Sequence, residues 1–274
     1  MPALWSRTWF RLAEAGVAAL LLVLVLQAAL GFNLLDGEFW RLFALPGASI
    51  GPLARGLLGT LTYMGIVIPV GFGAGLLWSW ARVSRFRVLS WPVGAVIEIL
   101  RGVPPLVLVI FAAVFGALLL RGIVPRPTEA ALLVAALALA LHSAAYQAEI
   151  LRAGFQSVPR GQIEAAQALG LTGAQVMFRV VLPQGLRLSL PPLANEFSIA
   201  IKDTSLLAAI GATELFAIGL EFGARVPTSG NLSWLFLVWL AVAAVYFVIT
   251  FAVTRGLRAV EGRIRVPGLE GVRA

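Results

Sequence analysis

Residues 164–185 read EAAQALGLTGAQVMFRVVLPQG, a polar interruption in an otherwise apolar chain. Gly170 is well suited to end a first short helix in a left-handed conformation. Thr172 and Gln175 form a capping-box pattern that opens a second helix, which we expect to run to Pro183. Neither piece is long enough to cross a bilayer. The stretch therefore predicts a helix–turn–helix lying on a surface.

Both predicted helices are amphipathic, and Ser157 and Pro159 suit the start of the first one. The residues expected on the apolar sides are Ile163, Ala166 and Leu169, then Val176, Met177, Val180 and Val181. An ordinary amphipathic surface loop would have the same pattern. The residues alone leave that reading open.

Composition places the rest of the chain in a membrane. Of the 274 residues 60% are hydrophobic and only 12% charged, and the mean hydropathy is +0.93, whereas a soluble domain carries about 25% charged residues. Several apolar runs of about 20 residues could each cross a hydrocarbon layer of roughly 30 Å. A β-barrel would show alternating segments of about 10 residues instead. We therefore predict an all-α polytopic membrane protein.

Six transmembrane helices are predicted, at roughly 12–31, 54–80, 89–119, 129–149, 190–211 and 232–255. With the N-terminus in the cytoplasm, fourteen basic residues fall on the inside and five on the outside, which favours this orientation for both termini. The longest cytoplasmic connection is then 150–189. The inside residues are Arg7, Arg11, Arg82, Arg85, Arg87, Arg152, Arg160, Arg179, Arg187, Arg255, Arg258, Arg263, Arg265 and Arg273, and the outside ones Arg41, Arg55, Arg121, Arg126 and Arg225.

The EAAQALG motif, followed nine residues later by VVLP, resembles the EAA loop of ABC importer permeases, whose pattern is EAA-x3-G-x9-I-x-LP. Val180 stands where isoleucine is usual. The segments EILRGVPPLV, AAYQAEILRAGFQSVPRGQIEAAQALG, LPPLANEF and KDTSLLAAIG are similar to the polar amino-acid uptake branch of that family, which includes histidine, glutamine and glutamate permeases. The resemblance covers roughly residues 54–260.

This resemblance implies a five-helix type I importer core in a bacterial inner membrane. The implied partners are a second permease subunit, identical or different, two cytoplasmic ATPase subunits and an extracytoplasmic solute-binding protein. The permease would pass a polar amino acid, released by the binding protein, into the cytoplasm by ATPase-driven alternating access. ATP and Mg²⁺ would be bound by the ATPase. Which amino acid is carried is left open.

In such permeases the EAA loop forms a coupling helix that fits a groove on the ATPase. Small side chains allow close approach, and a short helix tied to two spans can transmit a push. The residues to which the resemblance assigns ATPase coupling are Glu164, Ala165, Ala166, Leu169, Gly170, Leu182 and Pro183.

Three regions follow from these predictions. Residues 1–53 hold an extra N-terminal transmembrane helix and an extracytoplasmic loop, since typical members of this branch have five spans. Residues 54–260 form the transporter domain, and residues 261–274 form a cytoplasmic tail.

No nucleotide or metal site is expected in this chain. A P-loop needs GxxxxGK(S/T), and the only lysine, Lys202, lies between Ile201 and Asp203. The GFGAG run at 71–75 predicts close helix packing through Gly71 and Gly75 rather than a dinucleotide loop. Cysteine is absent and there is one histidine, which argues against disulfides, Cys/His zinc sites and haem ligation. We predict a transport subunit rather than an enzyme.

Polar residues within the predicted spans point to a substrate path, because charges inside a membrane are costly and usually functional. One face of the fifth span carries Asn195, Ser198, Lys202 and Ser205, and an adjoining one Glu196 and Asp203. Lys202 has no acid three or four residues away, so its counter-charge must come from elsewhere. The alternative is an interhelical ion pair. The residues predicted to line the path are Glu98, Arg101, Asn195, Glu196, Ser198, Lys202, Asp203, Thr204 and Ser205.

The third span carries Glu98 and Arg101 just before Pro104-Pro105, where we predict a bend. Glu149 and Arg152 are expected to anchor the surface loop. His142 is interpreted as a packing residue in preference to a proton relay.

The sequence argues against two rival functions. A stand-alone ion-coupled carrier would need no EAA-x3-G-x9 surface helix. A membrane-embedded enzyme would need a cluster of acids, histidines or serines that the sequence lacks.

Overall fold

A computed structural model describes residues 37–43, 51–84, 86–123, 126–229 and 233–263, together with a few positions between 16 and 28. Most of the predicted first span, 12–31, falls outside these residues, and so does the tail after 263. The described part of the chain is helical and contains no strand.

Ten α-helices run in order along the described residues, interrupted by one π-helical turn and one 3₁₀ segment. They are α1 Gly37–Phe43, α2 Pro52–Val83, α3 Arg87–Gly102, α4 Pro105–Leu119, α5 Pro127–Gln156, α6 Arg160–Ala168, α7 Gly173–Val176, the π turn Met177–Val181, α8 Leu182–Asp203, the 3₁₀ segment Thr204–Ile210, α9 Leu215–Ser229 and α10 Ser233–Arg263.

Three described helices are long and apolar enough to cross a membrane: α2, Thr128–Gln156 within α5, and Trp234–Val260 within α10. Counting each bent helix pair as one span raises the number to five. The all-α membrane fold is thereby confirmed, and the total of six spans stays a prediction.

The predicted third span is two helices rather than one. α3 and α4 meet at a bend of 107°, at the place where the sequence predicted one. The residues at the joint are Val103 and Pro104, both in extended conformations. Proline at 104 and 105 removes two successive backbone donors, so the helix cannot continue through the joint.

Helix α5 is the centre of the transporter region. Its apolar window is 44% buried, against 17% for α2 and 22% for α10. Small residues such as Ala135, Ala136 and Ala140 are fully buried against α2, α4 and α8. Alanine lets neighbouring helices approach closely, which suits packing in a membrane, where shape rather than hydrophobicity drives association.

The second helix of the surface stretch does not end at Pro183, as the sequence analysis expected. α7, the π turn and α8 form one continuous helical run from Gly173 to Asp203. Pro183 lies inside this run, two residues after the π turn, and does not end it. The helix that carries the predicted fifth span, 190–211, therefore starts before Leu182, and its last part, Thr204–Ile210, is a 3₁₀ segment.

Helix α9 was missed, because the sequence analysis had treated its residues as an external loop. It starts directly after Glu214, whose carboxylate accepts hydrogen bonds from two N–H groups of its first turn, those of Phe216 at 2.9 Å and Ala217 at 2.6 Å. An acceptor at this place satisfies donors that have no partner within the helix.

The contacts divide the chain into two compact units. One comprises residues 1–54 and 218–243, and its described core is aromatic: the buried Phe39 ring lies 6.0 Å from the rings of Phe222 and Trp234. The other comprises residues 55–217 and 244–274. It contains the surface stretch and the polar residues discussed below.

Candidate functional site

The short helix α6 presents a bare outer face. Glu164, Ala165 and Leu169 are all exposed there, and Leu169 has 82% of its surface open. The sequence pattern predicted Leu169 on the inward apolar side of this helix, and that prediction is wrong. Gly170 follows with φ +81°, the predicted left-handed end of the helix. Beside the carboxylate of Glu164, this face offers small side chains and one large apolar one.

The inner face of α6 is anchored on the protein itself. Ala166 is buried in a cluster with Leu151 and Phe155 of α5 and with Val176 and Val181. Ala166 thus shapes the surface by packing and is not itself open to a partner. Leu182 and Pro183, predicted with the coupling residues, are half-buried at the start of α8.

The predicted capping box is confirmed. The Gln175 N–H donates to Thr172 Oγ1 at 3.3 Å, and the Thr172 N–H donates to Gln175 Oε1 at 2.9 Å. Together with Gly170 this fixes the turn between α6 and α7.

Helices α5 and α8, which flank the surface stretch, meet at two glycines. A Cβ atom on Gly154 would overlap Ser189 Oγ, and one on Gly185 would lie 2.9 Å from the Phe155 Cα atom. Ser189 Oγ also donates to the Gly185 carbonyl at 2.8 Å. Helices α5 and α8 are therefore in backbone contact next to the surface stretch. We expect a displacement of one helix to move the other.

A charge cluster lies at the same end of α5. Glu149 accepts from Arg152 on its own helix at 2.8 Å and from Arg82 of α2 at 3.4 Å. The Arg82 guanidinium also lies against Gly94 of α3, at the place where a Cβ atom would be. Glu149 and Arg152 thus form a pair, and Arg82 ties α2 and α3 to the same carboxylate. That this pair anchors the surface loop stays a prediction.

The predicted packing role of the GFGAG run is also confirmed. A Cβ atom on Gly71 would lie 3.0 Å from the Ala140 carbonyl, and one on Gly75 2.9 Å from Gln147 Cβ. Both glycines thus let α2 contact the backbone of α5.

Among the charged residues predicted to line the path, Glu196 is the most buried. It is 6% exposed and accepts a hydrogen bond from Ser143 Oγ of α5 at 2.7 Å. Ser143 Oγ in turn accepts from Gln147 Nε2 at 3.0 Å. These three side chains form a buried polar row between α5 and α8.

The polar residues predicted to share a face of the fifth span differ in their exposure. Asn195 and Lys202 are exposed, whereas Ser198 is buried and donates to the Ala194 carbonyl of its own helix at 2.9 Å. Thr204 is likewise buried and donates to Ile201 O at 2.7 Å. Asp203 and Ser205 are half-buried. Ser198 and Thr204 thus use their hydroxyl protons on backbone carbonyls.

Lys202 has no carboxylate within 4.0 Å in the described part of the chain. The sequence left another helix, another subunit or water as the source of its counter-charge, and no helix in that part of the chain supplies one.

The predicted pair of Glu98 and Arg101 on α3 is present. The Arg101 Nη1 atom lies 3.7 Å from Glu98 Oε1; the Glu98 side chain is 67% exposed and that of Arg101 36%. The Arg101 guanidinium also lies 5.3 Å from the centre of the Tyr146 ring on α5. The path residues on α3 and α8 thus both border α5.

A second buried carboxylate, that of Glu214, was not among the predicted site residues. Glu214 is fully buried and accepts from Tyr246 of α10 at 2.6 Å and from Thr60 of α2 at 3.5 Å, besides the two N–H groups of α9. The carbonyl of Thr213 occupies the place of a Cβ atom on Gly59. An acid directly before an apolar run was the available signal, since such a residue favours a helix start.

Residues 68–266 match the family model described as "Binding-protein-dependent transport system inner membrane component". The chain belongs to this family. Its members are inner-membrane components of transport systems, so the prediction of a multi-pass transport subunit that is not an enzyme is confirmed.

Named relatives of this transport component are permeases. The L-cystine transport system permease protein TcyB of Bacillus subtilis is 34% identical over 88% of this chain and 94% of its own. The probable glutamine ABC transporter permease protein GlnP of the same organism is 34% identical over 76% of this chain and 91% of its own. These names confirm the resemblance to the amino-acid branch of ABC importer permeases.

A solved structure agrees. The crystal structure of an amino acid ABC transporter with histidines superposes with a TM-score of 0.65 at 31% identity, covering 77% of this chain and 94% of that one. The inward-facing MetNI methionine ABC transporter, at 24% identity, a TM-score of 0.58, 76% of this chain and 95% of that one, supports the fold alone.

Proposed function

We propose that this chain is the permease subunit of an ATP-driven importer for a polar amino acid. The observation that carries the proposal is α6, a nine-residue helix with an open outer face, held on its inner face by both flanking spans. A carrier that works alone has no use for such a surface. The substrate class follows from the relatives, whose names refer to cystine, glutamine and glutamate.

In this proposal α6 is the coupling helix. An ATPase subunit docks on Glu164, Ala165 and Leu169, and Gly170 lets the chain turn away at once. ATP and Mg²⁺ are bound by the ATPase. Closure of the ATPase pair moves α6, and the glycine contact between α5 and α8 passes that movement to both spans as one body.

The substrate path lies along α5, between the exposed Glu98–Arg101 pair of α3 and the exposed Asn195 and Lys202 of α8. A zwitterionic amino acid would find a cation for its carboxylate and an anion for its ammonium group there. Ser198, Thr204 and Glu196 contribute by packing and by hydrogen bonds within the protein.

The remaining partners and regions are part of the same proposal. A second permease subunit, identical or different, completes the path, and an extracytoplasmic binding protein delivers the amino acid. Residues 54–260 form the transporter domain, 1–53 an added N-terminal helix and loop, and 261–274 a tail. Both termini lie in the cytoplasm, as the excess of arginine on that side favours.

The test is reconstitution in proteoliposomes with the cognate ATPase and solute-binding protein. Radiolabelled L-cystine, L-glutamine and L-glutamate are the probes, and ATP-dependent uptake of one of them is expected. Glu164→Arg should abolish uptake and ATPase binding, whereas Glu129→Arg, the same charge reversal at the far end of α5, should leave both intact. Accumulation against a gradient by the chain alone would favour the ion-coupled carrier instead.

A further inference from the structure

The break between α3 and α4 leaves two backbone carbonyls without their helical donors. In a continuous helix Leu100 O would accept from residue 104 and Arg101 O from residue 105. Both residues are prolines and have no N–H, and the last regular bond of α3 runs from Val103 N to Ile99 O at 3.2 Å. An unpaired carbonyl is costly inside a membrane.

A side chain of α5 replaces one of those donors. Tyr146 OH donates to Arg101 O at 3.3 Å. One turn earlier on the same helix, Nδ1 of His142 is buried and has no partner in the described part of the chain. His142 itself is only 6% exposed.

The same two rings also contact each other and Arg101. The His142 and Tyr146 ring centroids are 5.3 Å apart, and the Arg101 guanidinium lies 5.3 Å from the Tyr146 centroid. One face of α5 thus binds the end of α3 at its backbone and at its last charged side chain.

We propose that Tyr146, supported by the His142 ring, forms a brace that sets the bend between α3 and α4 and positions Arg101. The two prolines permit the 107° bend, since a chain lacking two hydrogen bonds is free to hinge. One hydroxyl donor and one ring contact from a rigid, buried helix restrict that hinge. His142 acts by packing against the Tyr146 ring.

The test is a distance measurement across the break in the full chain, in lipid nanodiscs. The protein has no cysteine, so Val88→Cys on α3 and Leu118→Cys on α4, both well exposed, can carry spin labels without background. Labelled chain is diluted with unlabelled chain so that only distances within one copy are detected. Neither a transported solute nor a partner subunit is needed, so the outcome is independent of the proposed function.

At a rise of 1.5 Å per residue the two arms are about 22 and 21 Å long, and a bend of 107° puts their ends about 26 Å apart. Opening the bend to about 80° would lengthen this to about 33 Å. Tyr146→Phe removes the hydroxyl, and His142→Ala removes the ring that packs against it. Each should broaden the distribution toward longer distances, the double variant most, and His142→Phe, which keeps a ring beside Tyr146, should restore the narrow peak.

A second label pair, Leu118→Cys with Leu133→Cys on α5, does not cross the break and should stay unchanged in every variant. An unchanged Val88–Leu118 distribution in the double variant would overturn the proposal. So would a shift of both label pairs together, because the loss would then be general loosening of the bundle.

Discussion

Gly185→Ala tests whether α5 and α8 move as one body. The added methyl would meet the Phe155 ring and lie 2.9 Å from the Phe155 Cα atom and 3.1 Å from its N atom. Ring atoms can rotate away, but the backbone of a buried helix cannot. The substitution must therefore push α8 away from α5 at the contact between residues 185 and 155, next to the surface stretch.

The expected change in stability combines two effects. Overpacking against backbone costs about 3 kcal/mol, the upper end of the usual range. Alanine in a helix is favoured over glycine by about 1 kcal/mol, which leaves a net loss of about 2 kcal/mol. Gly161→Ala in α6 is the matched control, because a Cβ atom there has nothing within 4 Å. It should gain up to about 1 kcal/mol from the same propensity.

The Tm of both variants is measured by thermal melting in detergent, with the remaining folded protein detected by fluorescence size-exclusion chromatography. Gly185→Ala should lower the Tm by about 4–8 °C, and Gly161→Ala should leave it equal or raise it slightly. In the assembled importer, ATP hydrolysis per molecule transported should rise for Gly185→Ala, since the push on α6 no longer reaches both spans. A Gly185→Ala protein that melts at or above the wild-type temperature would refute the proposed backbone contact.

Three other substitutions, one of them paired with a control substitution, test separate contacts. Tyr246→Phe removes the 2.6 Å bond to the buried Glu214 carboxylate and should destabilise by about 1.5–3 kcal/mol, seen as a lower Tm; an unchanged Tm would mean that this bond contributes nothing. Gly75→Ala should lower the Tm because its methyl meets α5, whereas Gly73→Ala, with open space around it, should not; equal shifts would contradict the α2–α5 contact. Leu169→Asp should leave the Tm unchanged, because this side chain is exposed, yet abolish co-purification of the ATPase; retained binding would exclude Leu169 from the docking face.

Local signals predicted the surface stretch well. The left-handed Gly170 and the Thr172–Gln175 capping box depend on neighbours three residues away, and both appear as expected. The bend at Pro104 was also predictable, because proline removes a donor whatever surrounds it.

What the sequence did not predict depends on distant contacts. Glu214 acquires its partners Thr60 and Tyr246 from positions 154 and 32 residues away. Arg82 joins Glu149 across 67 residues. The outward position of Leu169 is likewise a matter of tertiary packing, since amphipathic spacing alone placed it with Ala166.

The π turn at Met177–Val181 lies between the capped turn of the surface stretch and the polar residues of α8. A π turn holds one residue more than a regular turn of the same helix but covers about the same rotation. Removing one residue between 177 and 181 would therefore restore a regular turn and keep the side chains on either side of it nearly in phase. A deletion in the regular part of α8 would instead rotate the residues before it by about 100° relative to those after it. Within this continuous helix, the π turn is thus the place where a change of chain length disturbs the alignment of the two ends least.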